Sequence, residues 1–190
     1  SAGVPMTPEE FDAITECDEN YHYELIHGVL IVSPIAGEVE RSPNELLGYR
    51  LNQYRFEHPR GSALVETLFE QRIPTGDNRR RADRAIWTVV AGRPQDPRAD
   101  LPAIVVEFLS AGKAAWRRDY IEKRDEYLAA GIMEYWIFDR FARTMTIYST
   151  KDKQLVEQIV RESDLYQTEI LPGFDLALGE LLAAADRWSA

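Results

Sequence analysis

Cysteine is almost absent from this sequence of 190 residues, which contains only Cys17. A single cysteine cannot form an internal disulfide, and it excludes zinc sites built from several cysteines. The three histidines, His22, His27 and His58, lack the spacing of the common zinc motifs. A reducing compartment suits such a chain, so we expect a cytoplasmic protein without structural zinc.

Long apolar runs are also missing. No stretch approaches the roughly 18 uninterrupted apolar residues of a membrane-spanning helix. The opening residues have neither the basic region nor the apolar region of a secretory signal, so we expect none. The first residue is a serine, which indicates a processed tag, and we therefore set residues 1–5 apart as a disordered start. We expect residues 6–190 to form a single domain, because domains usually hold about 100–200 residues.

Positive charge is scarce overall but locally concentrated. The chain has 22 basic and 32 acidic residues and a net charge of −10, which by itself argues against a nucleic-acid-binding protein. Two windows, 72–84 and 113–124, nevertheless each hold five basic and two acidic residues, which leaves −16 on the rest. Such segregation indicates either a local anion-binding face or two ordinary solvated segments.

Apolar periodicity predicts an α/β domain with a mixed central sheet flanked by helices. A capping box at Thr7 and Glu10 begins a helix over 7–16, and a loop rich in charge is expected over 74–81. The remaining helices are predicted over 43–57, over 115–130 with a stop at Gly131, and near the end of the chain. Strands are predicted within 21–34 and over 62–73, 82–90, 103–110, 134–139, 144–149, 154–160 and 165–171.

Two carboxylates stand out within the predicted strands. Glu107 interrupts the apolar run 103–110, where burial of a charge is costly unless a cation pairs with it. Asp83 begins the strand that follows three arginines. Either residue could simply lie at a strand end in a structural salt bridge. On neighbouring strands, however, the two would converge on the kind of oxygen site that Mg²⁺ or Mn²⁺ prefers. Arginines nearby could then hold a phosphodiester backbone.

Lys123 is a third candidate. Asp119, Lys123 and Tyr127 recur every four residues along the predicted helix and so share one stripe. The interpretation without a functional role is a surface ion pair between Asp119 and Lys123. The functional one is that the lysine stem packs over the sheet and brings its ammonium to the carboxylates. On that view Lys123→Met should remove the charge and leave the fold intact.

The central stretch 103–139, together with the segment YELIHGVLIVSP and the segment LPGFDLALGELL, resembles the Uma-two family of restriction endonucleases. That family belongs to the PD-(D/E)XK nuclease superfamily. The resemblance places the first motif's aspartate on Asp83, after Ala82 instead of the usual proline. It places the second motif's acid on Glu107. Leu109 stands where a lysine is usual, and the resemblance implies that Lys123 replaces that lysine.

The resemblance implies a restriction-endonuclease-like fold and Mg²⁺-dependent hydrolysis of DNA, with Mg²⁺ or Mn²⁺ held by Asp83 and Glu107. It makes Asp83, Glu107, Lys123 and Glu24 the catalytic set, and Asp119 and Tyr127 support them. From the basic windows we expect nucleic acid to contact five arginines, which are Arg72, Arg80, Arg81, Arg117 and Arg118.

Two other interpretations stay open at this stage. A domain of the same fold without activity could act as a DNA-binding or protein-interaction module, and metal binding would separate it from an enzyme. A metabolic α/β enzyme lacks support, since the sequence has no GxGxxG, P-loop or GxSxG motif. A homodimer is expected through the aromatic hairpin 134–149, unless Trp136 and Phe138 belong to the core. We expect no membrane partner and no small organic cofactor.

Overall fold

Ten strands pair into one mixed sheet in the computed structural model, which describes residues 3–189. Their order across the sheet is β1-β3-β2-β5-β7-β8-β9-β10, and β4 and β6 also pair with β5, while β11 and β12 form a separate hairpin. The strands are β1 (Val4–Pro5), β2 (Tyr21–Ile26), β3 (Val29–Pro34), β4 (Leu64–Thr75), β5 (Asn78–Val90), β6 (Arg93–Pro94), β7 (Ile104–Phe108), β8 (Glu134–Asp139), β9 (Thr144–Lys151), β10 (Gln154–Arg161), β11 (Leu165–Gln167) and β12 (Asp175–Ala177).

Helices cover both faces of the sheet. They are α1 (Pro8–Asp12), α2 (Glu38–Glu57), α3 (Lys113–Arg117), a π-helical turn (Arg118–Lys123), α4 (Arg124–Ala130) and α5 (Leu178–Asp186), with a 3-10 turn at Gly61–Ala63. The capping box of Thr7 and Glu10 is present. Gly131 ends α4 with a left-handed φ of 99°. The predicted α/β fold with a mixed, helix-flanked sheet is confirmed.

Strand β8 shows how the sheet divides the core. Trp136 and Phe138 pack with residues of α2 and α5 on one face. Tyr135 and Ile137 pack with Tyr127 of α4 on the other. Alternate side chains of one strand are therefore buried on opposite sides, as in a central strand with both faces covered. The two strands of the hairpin 134–149 are thus mostly buried, and both have a neighbouring strand on each side, so the exposed edge on which the homodimer prediction relied is not there.

The start of the chain also differs from expectation. Residues 1–5 are predicted to lie outside the fold, and residues 1 and 2 fall outside the described part of the chain. Val4–Pro5, however, pairs antiparallel with β3 through Leu30 and Val29. No helix in residues 3–189 is long and apolar enough to cross a membrane.

A fork in the sheet positions the candidate site. Strand β4 occupies one edge of β5 along most of its length. The other edge is shared, because β2 pairs there only at Arg79, whereas β7 pairs only with residues 84–86. Residues 80–83 lie between the two partners. Their backbone groups on this edge must find partners other than a strand, since buried backbone donors and acceptors are rarely left unpaired.

Strand β5 begins at Asn78, four residues before the predicted start. The prediction of a loop over 74–81 is therefore wrong. Each arginine of the run is neutralised by an acid from a distant segment. Arg79 pairs with Asp12, Arg80 with Glu126 and Arg81 with Glu70. The charges that make this run look like a loop are balanced only in the folded chain.

Helix α2 packs against β5 through a glycine. A Cβ atom at Gly48 would lie 2.6 Å from Nη2 of the buried Arg84. That guanidinium is held in place by the side-chain and backbone oxygens of Asn44 and by Thr67, at 2.7–3.1 Å. Asn44 also donates from Nδ2 to the backbone oxygen of Asp83 at 2.9 Å.

We expect Gly48→Ala to destabilise the protein by about 1–3 kcal/mol, the usual cost of overpacking. At an exposed helix position, replacement of glycine by alanine stabilises a protein by up to about 1 kcal/mol. A decrease in the free energy of unfolding would therefore indicate that the added methyl group collides with Arg84. Urea unfolding would measure the change. Exposed Asn52 in the same helix offers a control as Asn52→Ala. A Gly48→Ala variant more stable than the wild type would contradict this account of the packing.

Candidate active site

Asp83 and Glu107 lie on the adjacent antiparallel strands β5 and β7, where the ladder between them ends. Arg84 is paired with Val106, so the next residues outward are Asp83 and Glu107. Asp83 turns its Oδ2 atom to the backbone N–H of Phe108, which donates to it at 2.6 Å. The two carboxylates therefore meet at the open side of the fork, as their positions in the sequence predict.

The Lys123 side chain reaches the same place from the π-helical turn. Its ammonium donates to Oε1 of Glu107 at 2.8 Å and to the backbone oxygen of Arg81 at 2.8 Å. It lies 3.8 Å from Oε1 of Glu24. Lys123 is only 3% exposed and Glu107 only 2%. The ammonium is therefore a buried group and is not part of a solvated surface pair.

The Glu24 carboxylate completes the backbone pairing at the fork. Its Oε1 accepts a hydrogen bond from the backbone N–H of Arg81 at 2.9 Å, and the Lys123 ammonium donates one to the backbone oxygen of Arg81. Both backbone groups of Arg81, which have no strand partner on this edge, are thus satisfied by charged side chains of the site. The site residues and the local strand geometry consequently support each other.

The two predicted supporting residues differ in what they contact. Tyr127 donates its hydroxyl to Oε1 of Glu107 at 3.0 Å. Asp119, in contrast, binds the guanidinium of Arg118 at 2.8 Å. The expected ion pair between Asp119 and Lys123 is absent from the described part of the chain. The π-helical turn places the two residues differently from a regular α-helix, in which positions four apart are neighbours.

Burial dominates the electrostatics of the site. It raises the pKa of Glu107 well above the ordinary value, and the nearby charge of Asp83 adds to this effect, while Lys123 opposes it. Burial also raises the pKa of Asp83, again against the influence of Lys123. For Lys123, burial would lower the pKa, but the charges of Glu107 and Glu24 outweigh it and the net direction is upward. Lys123 therefore stays protonated, whereas burial makes ionisation of Asp83 and Glu107 unfavourable.

These residues open into a cleft of about 240 Å³, whose rim includes His22, Glu40, Ser110 and Arg118. Larger cavities of about 450 Å³ and about 700 Å³ lie near the end of α2 and beside β9 and β10, respectively. Neither is lined by the buried carboxylates, so the cleft at the fork is the candidate active site.

A divalent cation suits the oxygen atoms that remain in this cleft. Within the described chain no hydrogen bond reaches Oδ1 of Asp83 or Oε2 of Glu107. Carboxylate oxygens are the preferred ligands of Mg²⁺, which is commonly held by only one or two of them together with water and phosphate. No group of three metal-ligating side chains occurs among residues 3–189. The donors therefore fit a cation that is bound in part by solvent or substrate.

The five predicted nucleic-acid contacts separate into distinct classes. Arg81 and Arg118 line the cleft. Arg117 is exposed on the adjacent helix. Arg72 lies over the ring of Phe11, with its Cζ atom 4.6 Å from the ring centroid.

Arg80 requires a correction. It is 0% exposed, and its Nε donates to Glu126 at 2.8 Å. A guanidinium enclosed in this way cannot contact a phosphate, so Arg80 is a structural ion-pair residue.

Sequence reasoning missed His22, which lines the cleft, and Glu70, which binds two residues of its lining. His22 lies two positions before Glu24 in β2, and strand alternation could have identified it as a neighbour on the same face. Glu70, in β4, bridges His22 and Arg81. No local signal identifies Glu70, because its partners lie on two other strands.

Comparison with known proteins supports the same class of fold. A family model described as "Putative restriction endonuclease", Uma2, matches residues 8–179. A crystal structure of a putative nuclease belonging to DUF820 from Anabaena variabilis ATCC 29413 superposes with a TM-score of 0.73 at 16% identity. The match covers 95% of this chain and 99% of that one. No curated protein matches the sequence.

Proposed function

Since the chain belongs to the Uma2 family of restriction endonucleases, we propose that it hydrolyses phosphodiester bonds of DNA with the help of a divalent cation. The observation that carries this proposal is the convergence of Asp83, Glu107 and the Lys123 ammonium in one cleft. Glu24 joins them as the fourth member of the catalytic set. This combination offers oxygen ligands for a metal and a fixed positive charge beside them.

Asp83 and Glu107 would hold Mg²⁺ or Mn²⁺ through their unoccupied oxygens. When bound, such an ion supplies an acidified water and neutralises charge on a phosphoryl group. Lys123 would stabilise the negative charge that develops at the phosphate, because its ammonium is buried and already oriented by Glu107. Glu24 and Tyr127 fix this arrangement, Glu24 through the backbone of Arg81 and Tyr127 through Glu107.

DNA would approach from the open side of the cleft. Arg81, Arg118 and Arg117 lie at or beside this opening and could neutralise backbone phosphates despite the net charge of −10. Binding through such contacts releases counterions, so the affinity should fall steeply with salt concentration. Replacement of Arg117 and Arg118 should weaken binding and flatten this salt dependence.

A second function is a DNA-binding or protein-interaction module without hydrolysis. The observation that favours it is that no group of three metal-ligating side chains occurs among residues 3–189, and that Glu107 already binds Lys123. A nuclease assay on single-stranded, duplex and branched DNA with Mg²⁺ or Mn²⁺ separates the two functions. We expect cleavage by the wild type and loss of cleavage in Asp83→Ala. DNA binding without cleavage under all these conditions would favour the module.

Cation binding provides an independent test. Calorimetric titration with Mn²⁺ should reveal a site that disappears in both Asp83→Ala and Glu107→Ala. Asp100→Ala is a suitable control, because Asp100 is bound to Arg93 away from the cleft. Equal binding by the wild type and Glu107→Ala would remove Glu107 from the metal site.

A further inference from the structure

Glu70 adopts an unusual backbone conformation within a regular strand. Its φ is +51°, in the left-handed region that non-glycine residues rarely occupy. The residues on either side remain in register with β5, since Phe69 pairs with Arg84 and Gln71 with Ala82. Glu70 therefore lies opposite Asp83. Strain of this kind persists only where surrounding contacts maintain it, and it is common at functional sites.

The contacts of Glu70 account for where its carboxylate points. Oε1 lies 2.9 Å from Nε2 of His22, and Oε2 accepts from Nη2 of Arg81 at 2.8 Å. Burial opposes ionisation of Glu70, but the hydrogen bonds from Arg81 and His22 outweigh it and keep the pKa of the carboxyl below its ordinary value. One charged carboxylate thus holds two basic side chains from different strands at the rim of the cleft.

Arg81 retains unused hydrogen-bond donors in this arrangement. Within the described residues no hydrogen bond reaches its Nη1 group, and its Nε atom is buried without an acceptor. Its side chain is 28% exposed and lines the cleft together with Asp83 and Glu107. An arginine that is fixed through Nη2 and keeps Nη1 without a partner is well suited to bind an oxyanion at that group.

We propose that Glu70 is a positioning residue, which holds Arg81 and His22 as a clamp for a DNA phosphate next to the one that is hydrolysed. This inference rests on the proposed nuclease function and assigns the clamp to the same cleft. The clamp would act on binding, because Arg81 and His22 lie beside the carboxylates without contacting the oxygens left for the metal. The left-handed backbone conformation of Glu70 would then be maintained because it directs the carboxylate to both His22 and Arg81.

The test compares KM and kcat for cleavage of duplex DNA by variants of this cluster. We expect Arg81→Gln to raise KM about tenfold and to lower the slope of log affinity against log salt by about 1. Glu70→Gln should raise KM by a similar factor. The double variant should show no further increase, because Glu70 acts only through the residues that it positions. Glu66→Gln is the matched control, since Glu66 lies on the same strand in a comparable ion pair with Arg55.

Glu70→Gly separates the clamp from a purely structural role. Glycine removes the carboxylate but accepts a positive φ, so this variant should unfold at a higher temperature than Glu70→Ala and yet share its raised KM. Unchanged KM in Glu70→Gln and Arg81→Gln would overturn the clamp. Additive effects in the double variant would overturn the positioning role. A wild type that cleaves no DNA would instead defeat the nuclease function, and the clamp with it.

A separate observation concerns the edge of the sheet. Strand β10 pairs with β9 on one side, and no strand within residues 3–189 pairs with its other side. Ile159 is 56% exposed there, and Leu155 and Val156 are also exposed. Open edges that carry apolar residues readily pair with another chain.

The sequence of β10 is complementary to itself. In an antiparallel pair centred on Ile159, the two Ile159 residues would face each other, and Glu157 of each copy would face Arg161 of the other. In a register centred on Glu157, the two Glu157 carboxylates would instead face each other and repel. We infer that two copies of this chain pair through β10, with Ile159 on the two-fold axis. Such a contact is isologous, as in most homodimers.

Charge reversal tests this interface in sedimentation experiments at micromolar concentration. Glu157→Arg and Arg161→Glu should each shift the protein to a monomer, because each opposes like charges. The combined exchange should restore the dimer. Arg98→Glu, in an exposed loop outside β10, is the control. A monomeric wild type, or single variants that remain dimeric, would overturn the interface.

Discussion

Replacement of Lys123 by methionine should lower DNA hydrolysis by about 10²–10³-fold, the usual effect of removing one group that stabilises transition-state charge. It should also destabilise the fold. This prediction replaces the expectation of an intact fold, because the ammonium binds Glu107 and the Arg81 carbonyl in a buried position. Breaking one side of a buried ion pair costs about 3–5 kcal/mol. Steady-state cleavage rates and urea unfolding measure the two effects.

The double variant Lys123→Met/Glu107→Gln separates the two effects. A neutral glutamine needs no ammonium partner, so this variant should recover part of the lost stability while remaining inactive. Lys113→Met, at the exposed start of α3, controls for the loss of a positive charge. If Lys123→Met retained wild-type activity, the proposed role of this ammonium would be wrong. If it retained wild-type stability, the ion pair would contribute little to the fold.

Asp83→Asn should abolish cleavage and at the same time raise the thermal stability of the metal-free protein. The pKa of Asp83 in the folded state lies above its ordinary value of 3.8, mainly because the group is buried. A raised pKa means that the folded chain favours the protonated acid, so stability is lost as the pH rises from 3.8 through the folded pKa. Asparagine is neutral at every pH and avoids this loss, and its side-chain oxygen can still accept from Phe108.

Thermal unfolding at a series of pH values from about 3 upward would test this prediction. The advantage of Asp83→Asn over the wild type should appear as the pH rises above 3.8 and become constant above the folded pKa. Mn²⁺ should stabilise the wild type more than the variant, because it binds only the native carboxylates. Asp77→Asn, in the exposed turn before β5, is a matched control. A variant less stable than the wild type at every pH would mean that Asp83 is held as a stabilising anion.

Much of the fold and part of the candidate site could be predicted from the sequence. The apolar run around Glu107 identifies a central strand, and its position relative to Asp83 is enough to expect that the two carboxylates meet. The helix after that strand must pack back onto the sheet, which makes the reach of Lys123 foreseeable. These predictions depend on short spacings and on alternation within single elements.

The remaining features depend on contacts between distant segments. The residues around Arg80 predict a basic loop, but Arg80 is buried and Glu126 neutralises it. Helix α2 begins at Glu38, and Pro43 lies inside it, so the predicted start at residue 43 is too late. The π-helical turn redirects Asp119 toward Arg118. Neither a charge pattern nor an apolar period contains this information.

The fork in the sheet also provides natural spectroscopic reporters. The amide protons of Arg81 and Phe108 point at the carboxylates of Glu24 and Asp83, respectively, instead of at a neighbouring strand. Their chemical shifts in a nitrogen–proton correlation spectrum should therefore follow the charge of those two acids, whereas most other amides of the sheet donate to neutral carbonyls. Cations, phosphates and protons entering the cleft could thus be followed at two backbone positions without attaching any label to the site.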